Sequence, residues 1–190
     1  MKFWKKITDG FCVKTIVAIG IGEALFFVLG RFVAIPSPIP NVTICIQYGL
    51  LAFMAALFGP IAGFFIGLIG HFLIDLSWGW GVWWSWVITS AIFGFFMGLL
   101  GNRTRLAFGQ FGKKGLLNFN VAQVIGHLVG WAVIAPVLDI IIYAEPANKV
   151  FVQGLVSAAS NIVTTAIIGS LLCYAWAAAI PDKGSLKKEE

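Results

Sequence analysis

The chain has 190 residues, 59% of them hydrophobic and 11% charged, with a mean hydropathy of +0.93 and a formal net charge of +5. This composition excludes a soluble globular surface and marks an integral membrane protein. Strands of a β-barrel would alternate over about ten residues. The apolar runs here are continuous and longer, so the expected fold class is an all-α bundle of transmembrane helices, which satisfy their own backbone in lipid.

Six apolar segments follow one another at 13–33, 42–58, 61–77, 85–101, 118–142 and 150–180. Each approaches or exceeds the roughly 20 residues needed to cross a hydrocarbon core of about 30 Å. The start, Met1-Lys2-Phe3-Trp4-Lys5-Lys6, is basic, but the apolar run after Lys14 is too long for a signal-peptide core. It is expected to be a retained first helix. Lys2, Lys5, Lys6 and Lys14 precede that helix, Arg103, Arg105, Lys113 and Lys114 lie between the fourth and fifth, and Lys183, Lys187 and Lys188 follow the sixth.

With six spans these clusters share one side, and short-loop Lys and Arg mark that side as cytoplasmic. Both termini are expected there, and residues 1–190 form a single transmembrane domain with short tails at 1–12 and 181–190. The cations sit at membrane boundaries and build no nucleic-acid face. Cys12, Cys45 and Cys173 are far apart in the sequence and read as small apolar fillers. The chain has no Gly-x4-Gly-Lys-Ser/Thr phosphate loop, so energy for any pumping must come from elsewhere.

This topology assigns a depth to each polar side chain. Arg31, His71, Asp75 and Asp139 fall near the outer ends of outward-running segments. Gln47, Ser85, Trp86, Gln153 and Asn161 fall in the outer halves of inward-running ones. Glu23, Gln123 and His127 are deeper, and the inner halves are otherwise nearly featureless. The asymmetry predicts an outward-facing polar and aromatic pocket above an apolar floor.

His71 and Asp75 stand four residues apart on one helix face, where a carboxylate orients an imidazole or both meet a ligand. His127 and Asp139 are further candidates, each with a bland alternative as a satisfied or interfacial group. Four of the eight tryptophans crowd into residues 78–84, broken by Gly79 and Gly81. That density suits stacking of Trp80, Trp83 or Trp84 on a flat ring, beyond simple interfacial anchoring. The loop Pro36-Ser37-Pro38-Ile39-Pro40-Asn41 is stiff and reads as a lid or a turn, with Asn41 beside the site. Small residues at four-residue spacing, including Ala18 with Gly22 and Gly20 with Ala24, allow close helix approach or a smooth face for another membrane protein.

The chain resembles the substrate-binding S components of energy-coupling factor vitamin transporters, in the riboflavin-type family. The resemblance is carried by Val17-Ala18-Ile19-Gly20-Ile21-Gly22, Leu29-Gly30-Arg31-Phe32, Ile35-Pro36-Ser37-Pro38-Ile39-Pro40-Asn41 and Ala56-Leu57-Phe58-Gly59-Pro60. It continues in Gly70-His71-Phe72-Leu73-Ile74-Asp75, Trp83-Trp84-Ser85-Trp86 and Tyr143-Ala144-Glu145-Pro146-Ala147-Asn148-Lys149-Val150-Phe151, and so spans 13–178.

It implies a six-helix subunit of the bacterial cell membrane, without catalytic residues, metal or cofactor of its own. Such a subunit binds a vitamin at its outer side and docks on a transmembrane T component with two cytoplasmic ATPases, which use the ATP. In this family small residues of the first helix contact the T component, here in the Ala18/Gly22 or the Gly20/Ala24 register. Delivery by toppling of the loaded subunit is the implied mechanism. Family naming points to riboflavin, but closely similar chains look like transporters of small pyrimidine or pyridine compounds, so the resemblance implies a hydroxymethylpyrimidine or pyridoxine-like cargo first and riboflavin next. A self-sufficient proton-coupled transporter using His71, Asp75, His127 and Glu23 is the alternative, and an intramembrane metalloenzyme a third.

Overall fold

A computed structural model describes residues 12–79 and 81–180. It contains six helices, five of them long and apolar enough to cross a membrane. These are α1 (Val13–Phe32), α2 (Gln47–Phe58), α3 (Pro60–Trp78), α4 (Trp84–Thr104), α5 (Lys113–Tyr143) and α6 (Ala147–Ala179). A π-helical turn interrupts α5 at Gly130–Ile134 and α6 at Thr165–Gly169. A short hairpin joins α1 to α2, with β1 (Ile35–Pro36) antiparallel to β2 (Thr43–Ile44).

The exception among the six is α2. The expected span 42–58 shrinks to 12 residues, because Thr43–Ile44 is spent on the hairpin. At 1.5 Å per residue α2 is about 18 Å long, too short for the hydrocarbon core. Ten of its residues, Gln47 to Ala56, are buried, so it is a central helix wrapped by the others. A helix that is apolar all round is a core helix or a membrane span, and hydropathy does not separate the two.

The outer helices invert the pattern of a soluble bundle. In α1, Val13, Ile16, Val17, Ile21, Leu25 and Val28 are exposed, while Thr15, Ala18, Gly22 and Gly30 are buried. The large apolar groups suit lipid, and the small ones let helices approach, since lipid leaves packing and polar contact to hold a bundle together. One such close approach joins α3 and α4. A Cβ on Gly63 would collide with the carbonyl oxygen of Gly94, and one on Gly94 with that of Gly63.

The inner half is not the featureless floor expected from sequence. The Asn120 amide of α5 donates to Ser170 Oγ of α6 at 3.0 Å, and Gln123 is fully buried in the same seam. Sequence reading named Gln123 among the deeper polar groups and passed over Asn120 and Ser170.

Candidate substrate-binding site

The ends of the helices, the hairpin, Trp83 and Glu145 surround a cavity of about 600 Å³. Hairpin residues 36, 37 and 39–43 form part of its lining. Asn41 turns the hairpin tip at φ +61°, a left-handed conformation that Asn tolerates better than most residues. The hairpin is tied to α6 at two points: Gln153 Nε2 donates to the Pro40 carbonyl at 2.8 Å, and Thr164 Oγ1 to that of Cys45 at 2.7 Å.

One wall is a single face of α6. Lys149, Gln153, Ser157 and Asn161 are four residues apart and all line the cavity. The spacing puts them in one row along a helix. Lys149 Nζ is paired with Glu145 at 2.6 Å, so the cation at the rim is neutralised by its own neighbour. Gln47, at the start of α2, adds an Oε1 that is buried and lacks a hydrogen-bond partner among the described residues.

The facing wall is aromatic. Tyr48, Trp78, Trp83, Trp86 and Trp131 all line the cavity. The Arg31 guanidinium lies 4.0 Å from the ring centroid of Trp78 and holds it at the rim through a cation–π contact. Asp139 sets two of the other rings. Its Oδ1 accepts from Trp83 Nε1 at 2.6 Å and from Ser85 Oγ, and its Oδ2 accepts from Trp86 Nε1 at 2.8 Å. A carboxylate only 1% exposed is thus satisfied by three donors, as a charge buried from water requires.

Asp75 performs the matching task on the loop. Its Oδ2 accepts the Trp83 backbone N–H at 2.9 Å, just before α4 begins. Gly79 and Gly81, at φ +77° and +92°, supply left-handed turns that bring the chain back to this position. Trp83 is then stacked on Tyr143, with centroids 4.2 Å apart. His71 connects this rim to the interior. Its Nε2 lies 3.6 Å from Asp75 Oδ1, its Nδ1 2.7 Å from Ser90 Oγ, and Ser90 Oγ 3.1 Å from the Tyr48 hydroxyl. Ser90 Oγ in turn donates to the Trp86 carbonyl at 3.1 Å, so this chain of polar contacts ends on the α4 backbone.

Of the residues expected at a site, Asn41, His71, Asp75, Trp83, Asp139 and Asn161 meet in this lining. Trp84 and His127 do not. Trp84 is 46% exposed, with its ring tilted against Phe72. His127 is sealed beneath the cavity, bonded to Thr165 Oγ1 at 3.0 Å and stacked on Phe93 at 4.1 Å. Trp80 lies outside the described residues.

As site residues, sequence reading left out Tyr48, Trp131, Gln153 and Ser157, although it placed Gln153 in the outer half of its helix. The row at 149, 153, 157 and 161 was a signal for the last two. The first two sit in apolar runs with nothing to mark them. Among the described residues no group of three His, Cys, Asp or Glu side chains converges as metal ligands would.

The two helix 1 registers also separate. Ala18 and Gly22 face inward, and a Cβ on Gly22 would press on Ile66 of α3. Gly20 and Ala24 lie on the exposed face, and a Cβ on Gly20 would meet nothing within the protein.

A family model described as "ECF-type riboflavin transporter, S component" matches residues 10–178. The chain belongs to this family. It is therefore a multi-pass membrane subunit of an energy-coupling factor transporter and not an enzyme, and membership implies a T component, ATPase partners and a vitamin substrate. The chain is 52% identical over 177 residues to a UPF0397 protein of Lacticaseibacillus casei strain BL23, covering 93% of this chain and 95% of that one. It is 50% identical over 177 residues to the UPF0397 proteins of Staphylococcus aureus strains MSSA476 and Newman, covering 93% of this chain and 96% of each relative. No solved structure matches the chain.

Proposed function

We propose that this S component captures an uncharged aromatic vitamin between the tryptophan wall and the amide row of α6. The carrying observation is the cavity itself. Stacking surfaces on one side face Gln153, Ser157, Asn161 and the unpartnered Gln47 oxygen on the other, and Lys149, the cation in the described lining, is already paired. Flat faces take dispersion and π contact, and amides read ring nitrogens, carbonyls and hydroxyls at the ring edge.

The volume shifts the choice of cargo. Pockets for drug-sized ligands run from about 300 to 1,000 Å³. A cavity near 600 Å³ suits a fused ring with a polar tail, such as the flavin of the family's name, better than one pyrimidine or pyridine ring. Riboflavin is therefore the favoured cargo.

In the cell the chain acts as a single domain with both termini cytoplasmic and the cavity open to the outside. The loaded subunit docks through the exposed Gly20/Ala24 face of α1 on a T component carrying two ATPases, and topples to release its cargo inward. Gel filtration of the purified chain with riboflavin tests the cargo. Yellow absorbance travelling with the protein supports it, and co-migration of a pyrimidine or pyridine vitamer instead would transfer the assignment.

A further inference from the structure

The opposite end of α4 carries a second concavity. Arg103 and Arg105 at the end of α4 and Lys114 in the first turn of α5 line an open groove of about 870 Å³, together with Gln110, Phe111 and Asn118. Seventeen residues separate Trp86 from Arg103, so at 1.5 Å per residue the groove is about 25 Å from the vitamin cavity.

The groove has a built frame. Arg105 sits at φ +59°, a left-handed conformation, and its carbonyl accepts the Phe108 and Gln110 N–H groups. Thr104 Oγ1 donates to the Gly101 carbonyl at 2.6 Å and accepts the Leu106 N–H at 3.2 Å. Asn118 Nδ2 closes on the Arg103 carbonyl at 3.0 Å. Phe111 is buried against Phe119 and Tyr174, which anchors the loop to α5 and α6.

Among the described residues these cations have no counter-charge. The ion pairs among the described residues are His71–Asp75 and Lys149–Glu145, both at the other end of the bundle. The described acidic residues are Glu23, Asp75, Asp139 and Glu145, and none lines the groove. The positive-inside preference accounts for cations at this end. It does not require them to converge on one hollow.

We propose that this groove binds the phosphate headgroup of an anionic membrane lipid. A phosphate matches the chemistry, since two guanidiniums offer paired N–H donors and the ammonium a point charge. The neighbouring side chains favour a lipid over a free anion. Phe108, 65% exposed, and Leu117, 62% exposed, flank the basic groups with apolar surface for acyl chains. Basic hollows between transmembrane helices hold such headgroups where hydrocarbon meets water.

The test uses the full chain, extracted from bilayers of mixed phosphatidylglycerol and phosphatidylcholine, with bound lipids counted by native mass spectrometry. Phosphatidylglycerol is expected to be enriched roughly tenfold or more over the bulk, since several cations act on one headgroup. Combined Arg103→Gln, Arg105→Gln and Lys114→Gln substitutions should bring the enrichment to within about twofold of bulk, and Lys114→Gln alone should lower it partway. Lys14→Gln, a cation outside the groove, should leave it unchanged. Equal enrichment in the wild type and the triple variant would overturn the proposal. So would inorganic phosphate raising the melting temperature of the delipidated protein as far as phosphatidylglycerol does, which would make this a free-anion site. Loss of T-component and ATPase association with an unchanged lipid profile would assign the groove to a protein partner, and would also overturn it.

Discussion

Asp139 of α5 accepts the indole N–H of Trp86 of α4 at 2.8 Å, beneath a cavity that both residues line. Its other oxygen holds Trp83. One carboxylate therefore fixes the orientation of two rings on the aromatic wall.

Replacing Asp139 with Asn puts amide protons where the carboxylate accepts, so one of the indoles loses its partner. Hydrogen bonds to a charged group are worth about 1.5–3 kcal/mol each, and a buried donor left without a partner costs about as much. Asp139→Asn should lower the melting temperature in detergent by several degrees and weaken vitamin binding by more than tenfold. Unchanged affinity would show that the indoles hold their places without it.

The lining separates residues that sequence ranks alike. Trp86→Ala should cost roughly tenfold or more in affinity, consistent with about 1–3 kcal/mol from one stacking ring and its burial. Trp84→Ala, outside the lining, should stay within about twofold, as surface changes away from such features usually do. Asn161→Ala should cost about tenfold, the value of one or two hydrogen bonds to the ligand. Calorimetric titration of the three variants checks the ranking.

On α1, Gly22→Leu should destabilise the protein itself, because the new side chain runs into Ile66. Gly20→Leu meets nothing within 4 Å and should leave stability and vitamin affinity unchanged while reducing co-purification with the T component. Intact complexes of Gly20→Leu would move the docking face away from α1.

The thiols offer a reporter of occupancy. Burial pushes the Cys45 thiol up, whereas the exposed Cys12 thiol is lowered by its hydrogen bonds to Thr15. Thiolates are the reactive form. At neutral pH a maleimide should label Cys12 quickly and Cys45 slowly, with Cys45 accelerating as pH rises. Cys45 lines the cavity, so bound vitamin should slow its labelling and leave Cys12 unaffected. Mass spectrometry of the labelled protein follows both.

Much of this architecture was legible because lipid imposes it. Long apolar runs marked the five helices that are long and apolar enough to cross a membrane. The length of α2 was not legible, since an all-apolar helix in the protein centre has the composition of one in lipid. The docking register on α1 was hidden for a related reason: Ala18, Gly20, Gly22 and Ala24 are alike in chemistry and differ only in which side meets α3. Trp84 adjoins Trp83 in sequence but not in direction: Trp83, the residue before α4, turns its ring onto Tyr143 and Asp139, while Trp84 opens the helix and tilts against Phe72. His127 misled because a buried histidine bonded to a neighbouring helix and one in a ligand site share the same depth.

The central claim is that the solitary chain binds an aromatic vitamin in the tryptophan-lined cavity. Titration of purified protein with riboflavin, hydroxymethylpyrimidine, thiamine, pyridoxine and pyridoxal, followed by tryptophan fluorescence, tests it most directly. Saturable quenching by riboflavin at nanomolar concentration, weakened in Trp86→Ala and Asn161→Ala, is the predicted result. Silence across the panel from folded protein, with uptake into liposomes driven by a pH gradient alone, would contradict it.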